Sequence, residues 1–556
     1  MKRCPQCRRD YYDDSLMYCL DDGAALLEGP TTADQPATAI LTGEPATKIL
    51  TNANDARPTT GRILGSKRNF LIASALFVII VSIGIAAYFY LGSPNAKQIN
   101  SIAVMPFIND SGNTDLEYLS DGMTETLISS LSQLPNLNVK ARSSVFRYKG
   151  KESDPQKIGK ELNVQAILNG RVVQRGQSLI LNVELIDVKT ENVLWSQDYT
   201  RQQADLVALQ TEIARDVSNK LRSKLSGVDE QNLTKNYPAD PEAYQLYLKG
   251  RYAWNKFTPV ESQKAAEYFN QAIAKDPSYA LAYVGLADTY GASATNCWML
   301  PRDGFSKAKA AVQTALSIDP QLAQAHASLG ALIMFADFDW AGAEQEYKRA
   351  EELDPNVNLT YEVHSYLLSA LGRHEDAIAA AQRGLELDPL SAPLSDDMGE
   401  AYYLARDYDH SIKQNQKTLE VEPDRAFAYV GMGSAYDQKG LYDEAIASNQ
   451  KAVSVAGRTS VFLSPLGHAY ARAGKKDEAI AILNEMREVS KGSYVSPYDI
   501  AILYAGLGDN DNAIGQLRKA YEDRAGWMIY LKVEPQFDPL RSDPRFQELI
   551  RKMGLP

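Results

Sequence analysis

Cysteine is scarce in this chain, with four residues in 556, three of them in the first nineteen positions. That excludes a disulfide scaffold. The fourth, Cys297, has no sequence neighbour and reads as a half-buried free thiol. Histidine is also rare. The five residues His326, His364, His374, His410 and His468 are scattered rather than clustered, so they read as structural or solvated. A G-x-x-x-x-G-K-[ST] phosphate loop, an H-E-x-x-H helix, a G-x-S-x-G elbow and a kinase catalytic loop are all missing. The expectation is a protein that is not an enzyme and has no small-molecule substrate. Acidic pairs such as Glu351/Glu352 and Asp396/Asp397 read as solvated helix faces. Positive charge is in deficit too: 58 Lys and Arg face 70 Asp and Glu, a net charge of −12. That balance argues against general nucleic-acid binding.

One stretch lacks charge altogether. Residues 70–91, FLIASALFVIIVSIGIAAYFYL, are long enough to cross a hydrocarbon core of about 30 Å as a single transmembrane helix in the lipid bilayer. Arg62, Lys67 and Arg68 precede it, and Lys97 is the only basic residue between it and Lys140. The positive-inside rule puts residues 1–69 in the cytoplasm and everything after 92 outside it. The expected location is a bacterial cytoplasmic (inner) membrane, crossed once, with the C-terminal domains extracytoplasmic. Residues 29–66, rich in Thr, Ala and Pro, cannot bury enough apolar surface to offset their ordering entropy and read as a flexible linker.

Residues 1–28 hold the ligand chemistry. Cys4-Pro-Gln-Cys7 forms one metal-binding knuckle, and Cys19-Leu-Asp-Asp22 repeats its spacing. Cys4, Cys7, Cys19 and Asp22 therefore form a candidate structural Zn2+ site, with Asp21 or a water as the other candidates for the fourth ligand. A Cys4–Cys7 redox pair and a metal-free remnant are the alternatives. The stretch resembles the short zinc ribbons that open many bacterial membrane proteins.

Residues 99–227 read as a compact α/β domain in the order β-α-β-α-β-β-β-α. SIAVMPFI (101–108) suits a buried strand. Thr114 and Glu117 suggest a capping box, and the helix they open aligns Leu116, Leu119, Met123, Leu127, Leu131 and Leu134. A second strand is expected over 137–142 and three more at 164–174, 178–188 and 192–200. The stretch IAVMPFINDSGNTDLEYLSDGMTETLISSLSQLPNLNVKARSSVFRYKG resembles the domain related to the TolB amino-terminal and FlgO families. In bacterial signalling proteins that domain stands between a membrane helix and a repeat array, and the resemblance supplies no catalytic residue.

The remainder is periodic. Gly399, Gly433, Gly467 and Ala501 stand 34 residues apart, as do Tyr402, Tyr436, Tyr470 and Tyr504. This resembles the tetratricopeptide repeat, in which small residues let paired helices approach and a tyrosine is expected to fill the gap between them. Eight repeats are expected between 243 and 525, with residues 526–556 as a C-terminal cap. The fold expected is mainly α: an α-solenoid of repeats preceded by a small α/β domain, one transmembrane helix and a zinc ribbon. First-helix residues Asp396, Glu400, Phe427, Val430, Asp437 and His468 are candidates to line a groove for protein or peptide partners. The function expected is a membrane-anchored scaffold or signalling adaptor. The alternative is a membrane-bound regulator whose ribbon contacts nucleic acid or transcription machinery.

Overall fold

The computed structural model describes residues 99–134, 137–151, 154–221 and 238–555, with the backbone of three short strands near the N-terminus. The chain divides into two units, Met1–Ser93 and Pro94–Pro556. In the first, β1 (Lys2–Arg3) pairs antiparallel with β2 (Asp10–Tyr11) and β3 (Leu27–Glu28). The ribbon ligands Cys4, Cys7, Cys19 and Asp22, the linker 29–66 and the apolar run 70–91 lie outside the described residues. Among the described residues, no helix is long and apolar enough to cross a membrane.

The second unit opens with a mixed sheet. Strand β4 (Ser101–Val104) runs parallel to β6 (Asn138–Val139) and β7 (Ala166–Arg175). From β7 the chain continues as an antiparallel meander through β8 (Ser178–Asp187) and β9 (Val193–Gln202), and β5 (Ile108–Asn109) joins the far end of β7. Parallel neighbours need crossovers. These are α1 (Glu117–Ser132) and the pair α2 (Arg142–Phe146) and α3 (Pro155–Leu162), while α4 (Leu206–Leu221) follows β9. Leu119, Met123, Leu127 and Leu131 of α1 are fully buried on the spacing that the sequence pattern demands. In β8, Leu179, Leu181, Val183 and Leu185 are buried and alternate with half-exposed residues, so one face of the sheet carries the helices.

Two local expectations change. Asn113, not Thr114, caps the entry to α1: its side chain accepts from the Asp115 N–H and opens a 3-10 turn over Thr114–Leu116. Glu117 instead receives Asn109 Nδ2 at 3.1 Å and Lys149 Nζ at 2.7 Å. The strand expected over 137–142 pairs only at Asn138–Val139, because Arg142 turns into α2 with its Nε 3.3 Å from Glu125 Oε2.

Eight helix hairpins fill 241–523. The first four are α5 (Pro241–Trp254) with α6 (Pro259–Lys275), α7 (Ala280–Thr295) with α8 (Pro301–Ile318), α9 (Ala323–Leu332) with α10 (Trp340–Leu353), and α11 (Asn358–Ala370) with α12 (His374–Leu387). The next four are α13 (Ala392–Leu404) with α14 (Tyr408–Val421), α15 (Ala426–Gln438) with α16 (Tyr442–Ala456), α17 (Ser460–Arg472) with α18 (Lys476–Val489), and α19 (Pro497–Leu507) with α20 (Asn510–Asp523). Helices α6, α8, α10, α12 and α14 stop one residue before Asp276, Asp319, Asp354, Asp388 and Glu422, each followed by proline, which cannot continue a helix.

The tyrosine ladder fills the gap at one rung of four: Tyr504 is buried, while Tyr402, Tyr436 and Tyr470 are only half-buried. In several hairpins the first helix comes so close to the second that the filling side chain is carried by the second helix, whereas at Gly467 it is Leu503 of α19, the first helix of the next hairpin. A Cβ on Gly330 would meet the Tyr347 ring at 2.4 Å, and one on Gly433 would meet Asn449 at 2.4 Å. Asn449 is buried, and among the described residues neither of its amide atoms has a hydrogen-bond partner. Leu483 and Leu517 hold the equivalent place one and two repeats later. Asn449→Leu is therefore expected to stabilise the chain by about 1–2 kcal/mol, since burying an unpaired amide is costly. The midpoint of denaturant unfolding measures it, and a lower midpoint would count against this packing.

After α20 the period stops. Arg524, left-handed at φ 58°, turns the chain back. Two 3-10 turns (Gly526–Tyr530 and Pro535–Leu540) and α21 (Pro544–Lys552) then return across the array. Arg302 Nη2 of α8 donates to the Glu522 carbonyl at 3.0 Å, so the second hairpin touches the eighth.

Candidate functional site: the inner face of the array

The first helix of each hairpin lines the inner, concave side of such a solenoid. Here that side is filled by the chain itself. Gly526 presses on α7 so closely that a Cβ would stand 2.9 Å from Thr295. The Trp527 ring meets Tyr366 of α11 edge-on, with centroids 6.5 Å apart. Tyr403 of α13 donates to Glu534 Oε1 at 2.6 Å, and Arg406 grips Asp538 with two bonds of 2.6 and 2.7 Å. Phe537 packs edge-on against Tyr498 of α19 at 5.3 Å, and Trp340 Nε1 donates to the Met553 carbonyl at 2.8 Å. The apolar side chains Met528, Ile529, Leu531 and Phe537 are completely buried by this arrangement.

The covered face is acidic. Burial raises the carboxyl of Asp397 well above its ordinary range, and Glu362 beside it adds to the effect. Glu400 is pushed up to about 8 by burial, reinforced by Glu534 and Asp396. Glu534, on the returning segment, is raised by burial against the opposing pull of Tyr403 and His468. Asp396 rises to about 6 by burial although Arg425 Nε lies 2.6 Å away. Asp288 of α7 and Asp499 of α19 are pushed to about 6 for the same reason.

The six groove candidates fall as follows. Asp396, Glu400, Phe427 and Val430 are half-buried, while Asp437 and His468 are buried. Phe427 lies 5.3 Å from Phe462, centroid to centroid. His468 Nδ1 stands 3.0 Å from Asp437 Oδ2, off the line of a hydrogen bond. The reading of Asp396/Asp397 as a solvated face is corrected: Asp397 is 8% exposed, because the chain's own C-terminal segment covers this helix face. Glu351 and Glu352 are exposed, as expected. Glu362 and Glu534 went unremarked in the sequence, although Glu362 and Asp396 hold one position of successive first helices, 34 residues apart. Among the described residues there is no group of three or more His, Cys, Asp or Glu that could hold a metal ion.

The α/β domain is docked on the first helices and inter-repeat turns of the first half of this array. Arg251 of α5 reaches Glu125 of α1 at 2.6 Å, and Asn255 Nδ2 donates to its other oxygen at 3.0 Å. Burial alone would raise the Glu125 carboxyl, but the Arg251 and Arg142 guanidiniums outweigh it and hold the group below its usual range. Tyr244 donates to Thr126 at 2.8 Å, and Ser143 and Ser144 donate to buried Asp388 in the fourth interrepeat turn. A cavity of about 290 Å³ remains beside the Glu125 network, lined by Arg142, Asp288, Gln324 and Asn358 among others.

Comparison with known proteins agrees with this architecture. Tetratricopeptide-repeat family models match residues 360–389 and 397–460, within the hairpin array. Over residues 97–216, which include the stretch that resembles the TolB amino-terminal and FlgO families, the matching family is the second domain of HilA/YgeH-like transcriptional regulators. The protein named "Putative adenylate cyclase 3" of Rhizobium meliloti is 34% identical over 237 residues, 42% of this chain and 40% of that one. Transcriptional regulator HilA of Salmonella typhimurium is 25% identical over 311 residues, 54% of this chain and 53% of that one. The chain thus spans about half or less of the length of these relatives. Among solved structures, a tetratricopeptide repeat protein from Parabacteroides merdae is 16% identical and covers 48% of this chain and 98% of its own, with a TM-score of 0.33. YrrB, described as a tetratricopeptide protein with an unusual peptide-binding site, is 20% identical and covers 34% of this chain and 93% of its own, with a TM-score of 0.25.

Proposed function

We propose that this chain is a membrane-anchored, non-catalytic scaffold or signalling adaptor that binds protein partners through its repeat array. The observation that carries the reading is the stack of eight hairpins with a concave inner face, a shape suited to extended peptides and partner helices. The α/β domain, bolted to the array through Glu125 and Asp388, belongs to the same body. In this reading the helix 70–91 crosses the cytoplasmic membrane, the array and α/β domain lie outside the cytoplasm, and Cys4, Cys7, Cys19 and Asp22 hold a structural zinc inside it.

A second reading is supported by the HilA/YgeH-like match over 97–216: a membrane-bound regulator whose ribbon contacts nucleic acid or transcription machinery. Lys2, Arg3, Arg8 and Arg9 favour it, while Asp10, Asp13, Asp14, Asp21 and Asp22 offset their charge.

The test is crosslinking of the full-length protein in the membranes of its own cells. An extracytoplasmic protein partner should be captured, and Phe427→Ala should weaken that capture. Metal analysis of the same preparation should find one zinc per chain, lost on Cys4→Ser. Capture of only cytoplasmic transcription components, unaffected by Phe427→Ala, would favour the regulator instead.

A further inference from the structure

The returning segment differs from the repeats it touches. It contains no helix hairpin, only two 3-10 turns before α21, and it lies across the first helices rather than extending the stack. It enters through Arg524, a non-glycine residue in the left-handed region, whose guanidinium sits 4.8 Å from the Phe338 ring centroid. Phe338 is itself left-handed and ends a widened π turn over Ile333–Asp337. Such widened turns occur often at functional sites.

The seam between segment and array is also poorly matched in polarity. Glu400 and Glu534 both act on the Tyr403 and Tyr498 hydroxyls, and Asp397 joins them around that of Tyr530. Among the described residues, Asp396 Oδ1, Asp397 Oδ2, Asp437 Oδ1 and Gln536 Nε2 are buried without a hydrogen-bond partner. Each of these is a polar atom that the present occupant leaves unsatisfied. The firmest polar contact, Arg406 with Asp538, lies at the exposed rim, where it can open first.

We propose that residues 526–540 are an intramolecular ligand that holds the concave face shut, and that a partner gains this face only when the segment swings out about Arg524. The proposal rests on reading the array as a partner-binding surface. It also defines the partner's chemistry: an extended segment that presents bulky apolar side chains, as Trp527, Met528, Ile529 and Tyr530 do, followed by carboxylates for Tyr403 and Arg406.

The experiment uses the full-length protein and a fluorescent synthetic peptide of residues 524–543 as the probe. Wild-type protein should leave the peptide unbound, because its own segment holds the site. Asp538→Arg sets a cation against Arg406 and Arg541. That variant should bind the peptide at concentrations about tenfold below the highest at which wild type shows no binding, and its amides over 526–540 should exchange about tenfold faster. Protection in α13 and α19 should not change. The double variant Arg406→Asp with Asp538→Arg should close again and lose the peptide. If amides over 526–540 exchange only together with α13 and α19 in Asp538→Arg, the segment is fixed core and the proposal is overturned. Failure of the peptide to bind any variant overturns it equally. A segment that opens in a chain that captures no partner would sink the scaffold reading and leave this one standing.

Discussion

Phe269→Ala is expected to destabilise the chain by about 3–5 kcal/mol, the range for emptying a large aromatic site in a packed core. The ring is fully buried and is the wedge between three helices. A Cβ on Gly250 of α5 would meet it at 2.6 Å, as would one on Gly285 of α7. Neither helix can bring a side chain to refill the space, because each faces it with bare backbone. Tyr247, its aromatic neighbour at 5.8 Å, also packs against the α/β domain core, so the cavity should loosen the docking of α1 on α5 as well. Denaturant unfolding of the full chain measures the loss. Gly285→Ala should destabilise in the same direction by driving a methyl into the ring. An unchanged midpoint in Phe269→Ala would mean that the first two hairpins are not stacked as described.

The second large effect is a dependence on pH of unusual sign. Glu400 is pushed up to about 8, first by burial and then by Glu534 and Asp396. Its other neighbours on the packed elements are Tyr403, Tyr498 and Tyr530, and His468 faces Glu534 from α17. An unfolded glutamate releases its proton near pH 4.5, where the folded one still holds it. Between those values the native state binds more protons than the unfolded chain, so stability falls as pH rises. The contribution is complete below about pH 4.5 and gone above about 8. Asp288, Asp396 and Asp499, each near 6, act in the same direction over a lower window. From pH 5 to pH 9 the array should lose on the order of 4–8 kcal/mol, about half of it from Glu400. Glu400→Gln should flatten the upper part of the profile. Thermal midpoints across that range are the measurement, and a midpoint that climbs with pH would refute the assignment.

The helix hairpins could be read from sequence because their cause is local. Small residues 34 positions apart mark where two backbones must touch, and prolines mark where the second helix stops. The α/β domain was legible for a similar reason, since Leu119, Met123, Leu127 and Leu131 spell out a helix face without reference to anything distant. The filling of the hairpins was not legible. A glycine announces a close approach but not which neighbour supplies the knob, and Asn449 looks like a surface residue until Gly433 is set against it. The inner face was hidden more deeply. Asp397 looks like a solvated charge, and Glu400 like the wall of an open groove, because what covers them, far downstream, is an aperiodic stretch, VEPQFDPL, that carries no signal of where it will lie.

The contact between Arg302 and the Glu522 carbonyl bears on mechanics. An open solenoid behaves as a spring: it lengthens under small forces, frays from its free ends, and unfolds in pieces because each repeat answers only to its neighbours. Here the second coil is hooked to the eighth, and a strap runs across the middle from Arg406 to Asp538. Stretching such a clasped spring requires the hook to break before the coils can part, whether or not the strap has opened. Force applied at the ends is therefore borne first at that contact, and the array should resist and then give way rather than lengthen gradually.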